Sequence, residues 1–291
     1  MTRRGFLKGL LGTILAGLFA SLYTFFIEPA LRLQVKRWHL TPEVWPSGRK
    51  LRIAAISDLH VGEPYVGLSR VRQVVRRANA LGADMIVLLG DYAAGHHFIT
   101  KDVKIEDVAP VLADLKAPLG VFAILGNHDW WDDLSAQRRG GGPNLYADAL
   151  ERVGIPCLSN HAVKTGGVWV AGLEDQLALR GPTGQWVGLD DLPGTLAQVT
   201  DDDPVILLAH EPDIFVDVPS RVAVTLSGHT HGGQVRLFGW SPVVPSRYGN
   251  RFAYGHVEED GRHLVVSGGI GCSILPVRLG SVPEITVIEI G

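Results

Sequence analysis

The chain of 291 residues predicts an α/β fold, a four-layer αββα sandwich in which helices flank two mixed β-sheets. Two observations predict it. Short apolar runs of strand length alternate with amphipathic helical patterns in the first half of the chain, and later runs show stronger alternation between glycine-containing turns. A third observation, an uncharged stretch near the N-terminus, predicts a transmembrane or signal helix before this fold.

The N-terminus combines a basic motif with an apolar span. Residues 2–8 read T-R-R-G-F-L-K and resemble a twin-arginine export signal. The nineteen residues from Gly9 to Ile27 carry no charge, which is close to one bilayer crossing. The alternatives are an ordinary signal anchor and a buried core helix.

Cleavage after export requires small residues one and three positions before the cut, and the pairs Leu18/Ala20 and Glu28/Ala30 do not provide them. We therefore expect residues 1–30 to remain as an anchor in the cell membrane, with the following domain on the extracytoplasmic, periplasmic side. Basic residues beyond the span weaken the charge asymmetry that sets this orientation.

After the anchor we expect a connecting edge segment at 31–50 and one domain at 51–291. Five apolar runs have the length of buried strands: Leu51–Ser57, Met85–Leu89, Val121–Leu125, Val205–Ala209 and Val222–Ser227. Helices are predicted at 68–81, at 105–115 and from an Asn144 cap to Gly154. The runs Val168–Leu173, His263–Ser267 and Ile285–Ile290 are expected to form a second, more antiparallel sheet.

Composition limits the chemistry. The 27 basic and 30 acidic side chains give no broad positive field, so a nucleic-acid partner is disfavoured. With two cysteines, Cys157 and Cys272, the chain has neither a disulfide scaffold nor a cysteine-rich metal site, and we expect packed thiols. Any metal must be held by nitrogen and oxygen.

A residue able to bind metal follows each of the five buried runs: Asp58 and His60, Asp91, Asn127 with His128, His210, and His229 with His231. Because the carboxyl ends of neighbouring strands share one crevice, we expect these side chains to converge. If the chain stays extended, Asp58 points the same way as His60, and His229 the same way as His231.

Such a set suits two divalent cations. An anionic carboxylate between them reduces their repulsion, and we assign this position to Asp91. Neutral imidazoles and an amide complete the shells without excess negative charge. Oxygen and nitrogen donors suit manganese, iron, zinc or cobalt, and the sequence does not choose among them.

The ordered motifs D-x-H, G-D, G-N-H-D, an isolated H and G-H-T-H resemble those of the calcineurin-like metallophosphoesterase superfamily, over essentially the whole segment from Leu51 to Gly291. The span, the I-E-P stretch at its end and the glycine-rich tail from Ser267 most resemble the bacterial membrane-anchored YaeI/YkuE-type phosphodiesterase group. The resemblance implies one metal on Asp58, His60, Asp91 and His231, a second on Asp91, Asn127, His210 and His229, and His128 facing the leaving group.

The expected reaction is hydrolysis of a phosphodiester or pyrophosphate bond by a metal-bridging hydroxide, with His128 assisting the leaving group. The substrate is expected to be a phosphorylated small molecule or lipid, and the anchor favours a lipid-linked one. One alternative is a UDP-2,3-diacylglucosamine pyrophosphatase of lipid A biosynthesis, against which the export signal stands because that substrate is cytoplasmic. The others are a nuclease, disfavoured by charge, and a non-catalytic metal-binding membrane protein.

Other residues near these motifs have no assigned role. Asp175 and Arg278 are candidates for substrate contact, which salt bridges would explain equally well. His96 and His97 follow Asp91 and are candidates for the rim of the cavity. The oligomeric state is not predicted.

Overall fold

A computed structural model describes residues 2–291. It begins with helix α1, Arg3–Leu22, which continues as a π-helical segment, Tyr23–Leu31. By length and composition the continuous helix Arg3–Leu31 is able to cross a membrane. The side chains of α1 are exposed, whereas Glu28 and Pro29 near the end of the π-helical segment are buried. The helix therefore projects from the rest of the protein and is packed only at its C-terminal end.

The strands follow in chain order: β1 Gln34–Leu40, β2 Leu51–Ile56, β3 Gly62–Glu63, β4 Met85–Leu89, β5 Lys101–Asp102, β6 Val121–Ile124, β7 His161–Thr165, β8 Val168–Gly172, β9 Leu179–Arg180, β10 Trp186–Val187, β11 Val205–Leu208, β12 Val222–Ser227, β13 Gly255–Glu259, β14 Arg262–Val266 and β15 Glu284–Ile290.

The helices of the domain are α2 Leu68–Asn79, α3 Ile105–Leu112, α4 Asn127–Asp132, α5 Leu134–Arg139, α6 Leu145–Arg152 and α7 Leu192–Leu196, with 3-10 helices at Pro212–Asp217, His231–Gly233 and Gly249–Phe252. The three helices predicted from apolar spacing correspond to α2, α3 and α6. The predicted cap of α6 is present, because the side chain of Asn144 accepts a hydrogen bond from the backbone N–H of Tyr146.

Two larger sheets form the centre of the domain. The first has the strand order β1-β15-β2-β4-β6, and the second β13-β14-β12-β11-β8-β7. In the first sheet, β2, β4 and β6 are parallel and β15 is antiparallel to β2. In the second, β8, β11, β12 and β14 are parallel, while β7 and β13 pair antiparallel at the edges. Both sheets are therefore mixed.

Three apolar clusters define the layers. Alternate residues of β2 and β4, such as Ile56 and Leu88, pack against α2, α3 and α6. Their neighbours, such as Met85, face Ile206 and Val224 of the second sheet. The opposite face of the second sheet packs against α7 and the 3-10 helix Pro212–Asp217. The order helix, sheet, sheet, helix confirms the predicted αββα class.

The expectation for the C-terminal strand is wrong. Ile285–Ile290 lies in β15, between β1 and β2 of the first sheet, and not in the second. The second sheet is also less antiparallel than expected, because its four central strands are parallel. Alternation along a strand reports which of its faces are buried, and it contains no information on the neighbouring strand or its direction.

Candidate metal centre

The predicted site residues lie at the carboxyl ends of strands from both sheets. Asp58 and His60 follow β2, Asp91 follows β4, Asn127 and His128 follow β6, His210 follows β11, and His229 and His231 follow β12. The two sheets are stacked, so the ends of β2, β4 and β6 meet the ends of β11 and β12 at one edge of the sandwich. The shared crevice therefore lies between two sheets and not within one.

One group of donor atoms comes from Asp58, His60, Asp91 and His231, all buried, whose ligand atoms lie within 4.8 Å of one another. His60 Nε2 is 3.3 Å from Asp91 Oδ2 and 3.1 Å from His231 Nε2. His231 Nε2 is 3.5 Å from Asp58 Oδ1. These separations match those between ligands that share one metal ion.

A second group shares Asp91 with the first. Asp91, His210 and His229 also present ligand atoms within 4.8 Å of one another, and His210 Nε2 lies 3.3 Å from Asp91 Oδ2. The Oδ1 atom of Asn127 lies 2.9 Å from His229 Nδ1, which adds an amide oxygen to the group. The structure thus brings all seven predicted ligands into two adjoining clusters with one common carboxylate.

Backbone carbonyls orient two of the imidazoles. His60 Nδ1 lies 2.8 Å from the carbonyl oxygen of Ala93, and His210 Nδ1 lies 2.6 Å from that of Leu89. A carbonyl only accepts, so each Nδ1 carries a proton and donates it. Each Nε2 then faces Asp91, as in metal-binding histidines that are held by a hydrogen bond from the other ring nitrogen.

The pKa values reflect a buried site with strong internal charges. Burial lowers the pKa of His60 to about 3 and also lowers those of His229 and His231, so these rings are neutral at pH 7. Burial alone would raise the pKa of Asp91, but the neighbouring imidazoles, that of His210 above all, hold it well below its ordinary value. Burial alone would lower the pKa of His210, but the Asp91 carboxylate raises it well above its ordinary value. The site therefore offers the neutral rings of His60, His229 and His231 beside an ionised carboxylate.

Unpaired polar atoms test whether cations fit here. Within residues 2–291, the buried atoms Asp58 Oδ2 and His210 Nε2 have no hydrogen-bond partner. Leaving such a group unpaired costs about 1–3 kcal/mol, and more when it is charged. One atom belongs to each cluster, and a bound cation would supply the missing partner. The residues therefore suit a binuclear site for divalent metals.

Two glycines make the close approach possible. A Cβ atom on Gly126 would lie 2.4 Å from Asp91 Oδ1 and 2.7 Å from Cε1 of His210. A Cβ atom on Gly228 would lie 2.5 Å from Asp58 Oδ2. These contacts are too short for any side chain larger than hydrogen.

The backbone at the ligands differs from the extended conformation that we expected. Asp58, His60, Asp91, His229 and His231 have φ angles between 43° and 67°, in the left-handed region. The expectation that residues two apart converge because the segment is extended is therefore wrong. Tight left-handed turns bring them together, a conformation that is uncommon outside glycine and concentrates at functional sites.

Asp129 holds the turns together, a role that the sequence did not indicate. Its Oδ2 accepts from the backbone N–H groups of Asp91 (2.8 Å) and Gly126 (2.9 Å), and its Oδ1 accepts from those of Tyr92 (2.7 Å) and Ala93 (3.0 Å). One buried carboxylate thus joins the loop after β4 to the loop after β6. Its place in the G-N-H-D motif was the only available signal.

His128 lies beside the clusters. Its backbone N–H donates to Asp91 Oδ1 (2.9 Å), and its Nε2 lies 3.2 Å from the hydroxyl of Ser273. The ring packs 4.9 Å from Trp131, which stacks on Trp186. Burial lowers the pKa of His128. No motif in the sequence singled out Ser273, which lies in the distant loop between β14 and β15.

Asp175 and Arg278 do not contact the cavity. Both are buried, and neither is among the residues that line the cavity beside the clusters. Arg278 donates to the carbonyls of Gly268 and Ser281 and to His231 Nδ1 (3.1 Å), so it supports a ligand from behind. Asp175 forms a buried acidic group with His210 and Glu211.

A cavity of about 480 Å³ opens beside the clusters. Asp91, Asn127, His128 and His229 line its floor, and apolar residues such as Val243 line its walls. His96 and His97 are not among its lining residues, but the preceding residue, Gly95, accepts a hydrogen bond from the N–H of Ile274 (2.8 Å), which does line it. Their place at the rim stays a prediction. Cys157 and Cys272 are free thiols, as expected.

The family model for calcineurin-like phosphoesterases matches residues 51–233. The chain is 30% identical to an uncharacterized metallophosphoesterase of Bacillus subtilis, YkuE, over all of this chain and 98% of that protein. It is 29% identical to the phosphodiesterase YaeI of Escherichia coli, over 82% of each chain. A bovine transmembrane protein with a metallophosphoesterase domain is 29% identical over 83% of this chain and 53% of its own length.

Asp129→Asn is expected to destabilise the site. One carboxylate oxygen becomes an NH2 group, so two backbone N–H donors lose their acceptor at a cost of about 1–3 kcal/mol each. We expect a lower Tm and less bound metal than in the unsubstituted chain, measured by thermal denaturation and elemental analysis. Asp260→Asn, at an exposed carboxylate, is the control. Equal Tm and metal content in the two variants would contradict the role of Asp129.

Proposed function

Because the chain belongs to the calcineurin-like metallophosphoesterase family and is a hydrolase, we propose that it cleaves phosphodiester or pyrophosphate bonds with two divalent cations held around Asp91. The observation that supports this most directly is the pair of donor clusters that share the Asp91 carboxylate. A single shared carboxylate is the arrangement that two closely spaced cations require.

We assign the ligands by cluster. Asp58, His60, Asp91 and His231 would hold one cation, and Asp91, Asn127, His210 and His229 the other. The donors suit manganese, iron, zinc or cobalt. When bound, the cations supply Lewis-acid polarisation of the phosphoryl oxygens and a lowered pKa for a water nucleophile.

His128 is assigned to the leaving group. It borders the cavity without belonging to either cluster, and its Nε2 is free of backbone contacts. The ring is held by its own backbone bond to Asp91, by Ser273 and by Trp131. In its protonated form the ring would deliver the Nε2 proton to the departing oxygen, and the hydroxyl of Ser273, 3.2 Å from that nitrogen, would orient it.

The cavity supports a substrate that carries an apolar group next to its phosphate. Its walls include Val235, Pro242, Val243, Ile274 and Leu275. A lipid-linked phosphodiester or pyrophosphate satisfies both the polar floor and these walls, and the helix Arg3–Leu31 would place the enzyme at the membrane where such substrates lie. A net charge of −3 does not provide the positive field that binding to a nucleic-acid backbone requires.

We further propose that the catalytic domain lies on the extracytoplasmic side of the cell membrane. The twin-arginine-like residues at the N-terminus support this orientation, because that export route carries folded proteins outward and leaves the basic end inside.

The purified chain is expected to hydrolyse bis-p-nitrophenyl phosphate when loaded with Mn²⁺. Chelation with EDTA should reduce turnover to the background rate, and added Mn²⁺ should restore it, since the cations supply the Lewis acid and activate the water nucleophile. Release of p-nitrophenol measures the rate. Absence of turnover in a chain that binds two equivalents of metal would refute the proposed reaction.

His128→Ala and Asp91→Ala are expected to lose activity for different reasons. His128→Ala should keep its metal and lose about 10²- to 10⁴-fold in kcat, the usual contribution of a general acid. Asp91→Ala should lose both metal and activity. Elemental analysis with kinetics on each variant makes the comparison, and His97→Ala, at an exposed histidine, is the control. Equal metal loss in the His128 and Asp91 variants would refute the division of roles.

Protease added to intact spheroplasts is expected to digest the catalytic domain. Substitution of Arg3 and Arg4 by lysine keeps the charge but removes the twin-arginine pair, so the domain should then stay protected. Immunoblotting of the domain beside a cytoplasmic marker gives the result. A domain that resists protease until the membrane is permeabilised places it in the cytoplasm and overturns the proposed orientation.

A further inference from the structure

Two neighbouring loops, residues 235–243 and 273–277, expose large apolar side chains, and both loops contribute residues to the wall of the cavity. We call the exposed residues of these loops the apolar lip: Leu237, Phe238, Trp240, Val243, Ile274 and Leu275. Ile274 is 75% exposed and Val243 is 71% exposed. The surfaces of soluble monomeric proteins rarely carry so many neighbouring apolar side chains, and such patches usually mark a binding surface.

Hydrogen bonds join the two loops into one surface. The side chain of Gln234 donates to the carbonyl of Leu275 (3.2 Å) and accepts from the N–H of Ser273 (2.7 Å). The N–H of Arg236 donates to the carbonyl of Leu279 (2.8 Å). The apolar side chains are therefore presented by a connected backbone framework and not by two independent loops.

Two residues of the apolar lip have a strained backbone conformation. Phe238 has a φ angle of 53° and Ile274 one of 65°, both in the left-handed region. For a β-branched residue such as Ile274 this conformation is costly, and its side chain gains little packing within the chain. A binding partner that buries these side chains would offset the cost.

The same framework is tied to the membrane helix. The N–H of Arg278 donates to the carbonyl of Thr24 (3.0 Å), and the N–H of Ser281 donates to Oε1 of the buried Glu28 (3.0 Å). Only residues 32 and 33 separate the end of the π-helical segment from β1. The side of the domain that carries residues 273–281 is thereby held against the end of the helix.

We propose that the apolar lip docks on the lipid bilayer that contains α1, at the boundary between headgroups and acyl chains. Its attachment to the end of the helix favours a bilayer over a second protein as the occupant. Trp240 suits this depth, because tryptophan concentrates at membrane interfaces. The docking does not depend on the proposed reaction. It would open the mouth of the cavity toward lipid, so a lipid-linked phosphodiester reaches Asn127 and His128 without leaving the membrane.

Depth-dependent quenching tests the docking. The full chain is reconstituted in phosphatidylcholine and phosphatidylglycerol vesicles with a nitrobenzoxadiazole label on Phe238→Cys or Ile274→Cys, and Asp260→Cys in the exposed turn after β13 serves as control. The unsubstituted chain gives the background from its two cysteines. Labels at 238 and 274 should show blue-shifted emission and lose intensity with doxyl-labelled lipid, and the label at 260 should not.

Two outcomes would overturn the docking. In one, all three labels behave alike in vesicles. In the other, the labels at 238 and 274 are blue-shifted equally in detergent and are insensitive to doxyl lipid, which would assign the lip to a second copy of the chain.

Activity separates this inference from the proposed function. Phe238→Ser combined with Trp240→Ser removes lip residues that do not line the cavity. The double variant should hydrolyse soluble bis-p-nitrophenyl phosphate at the unsubstituted rate and show loss of quenching at a label on Ile274→Cys. Unchanged quenching there would count against the lip as the docking element. An inactive unsubstituted chain whose lip labels are quenched would refute the reaction and leave the docking supported.

Discussion

The structure depends on the close approach of two buried, electron-rich atoms, His60 Nε2 and Asp91 Oδ2. The ring of His60 is neutral and donates from Nδ1 to the Ala93 carbonyl, so its Nε2 lone pair faces Asp91 Oδ2 at 3.3 Å. Two electron-rich atoms at this separation repel each other when buried, unless a cation lies between or beside them. The surrounding fold holds them in place against that repulsion.

Three features of the fold hold the metal-binding side chains close together. The parallel strands β2, β4 and β6 bring one set of donors to the edge of the first sheet, and β11 and β12 bring the rest from the second. Left-handed conformations at the ligands, each costing on the order of 1–3 kcal/mol, turn the side chains inward. Asp129 offsets part of this cost by accepting four backbone hydrogen bonds across two loops. Strain and its compensation are therefore concentrated in the same few residues.

The sequence predicted the strands, the principal helices and the residues that the structure gathers, because burial and spacing are local properties. Ile285–Ile290 shows the limit. Its apolar alternation predicts a strand but not its place between β1 and β2, since pairing over more than 200 residues of chain leaves no local pattern. Asp129 and Ser273 were missed for a related reason. Their importance lies in hydrogen bonds to loops that are distant in the chain, and an aspartate or serine in a turn is ordinary by itself.

The helix end and the metal centre are connected by one short path. Glu28 accepts from the N–H of Ser281, and the hydroxyl of Ser281 donates to the carbonyl of His231 (2.7 Å). Arg278, whose N–H donates to Thr24, contacts the ring of the same histidine. A buried carboxylate near the end of an apolar helix is costly without such a partner, so its burial here fixes the helix against the domain. The segment that supports His231 is therefore also the one that sets the position of the domain relative to the helix. It follows that these bonds fix the direction in which the cavity opens relative to the helix. A longer, flexible connection between the helix and the domain would leave that direction free.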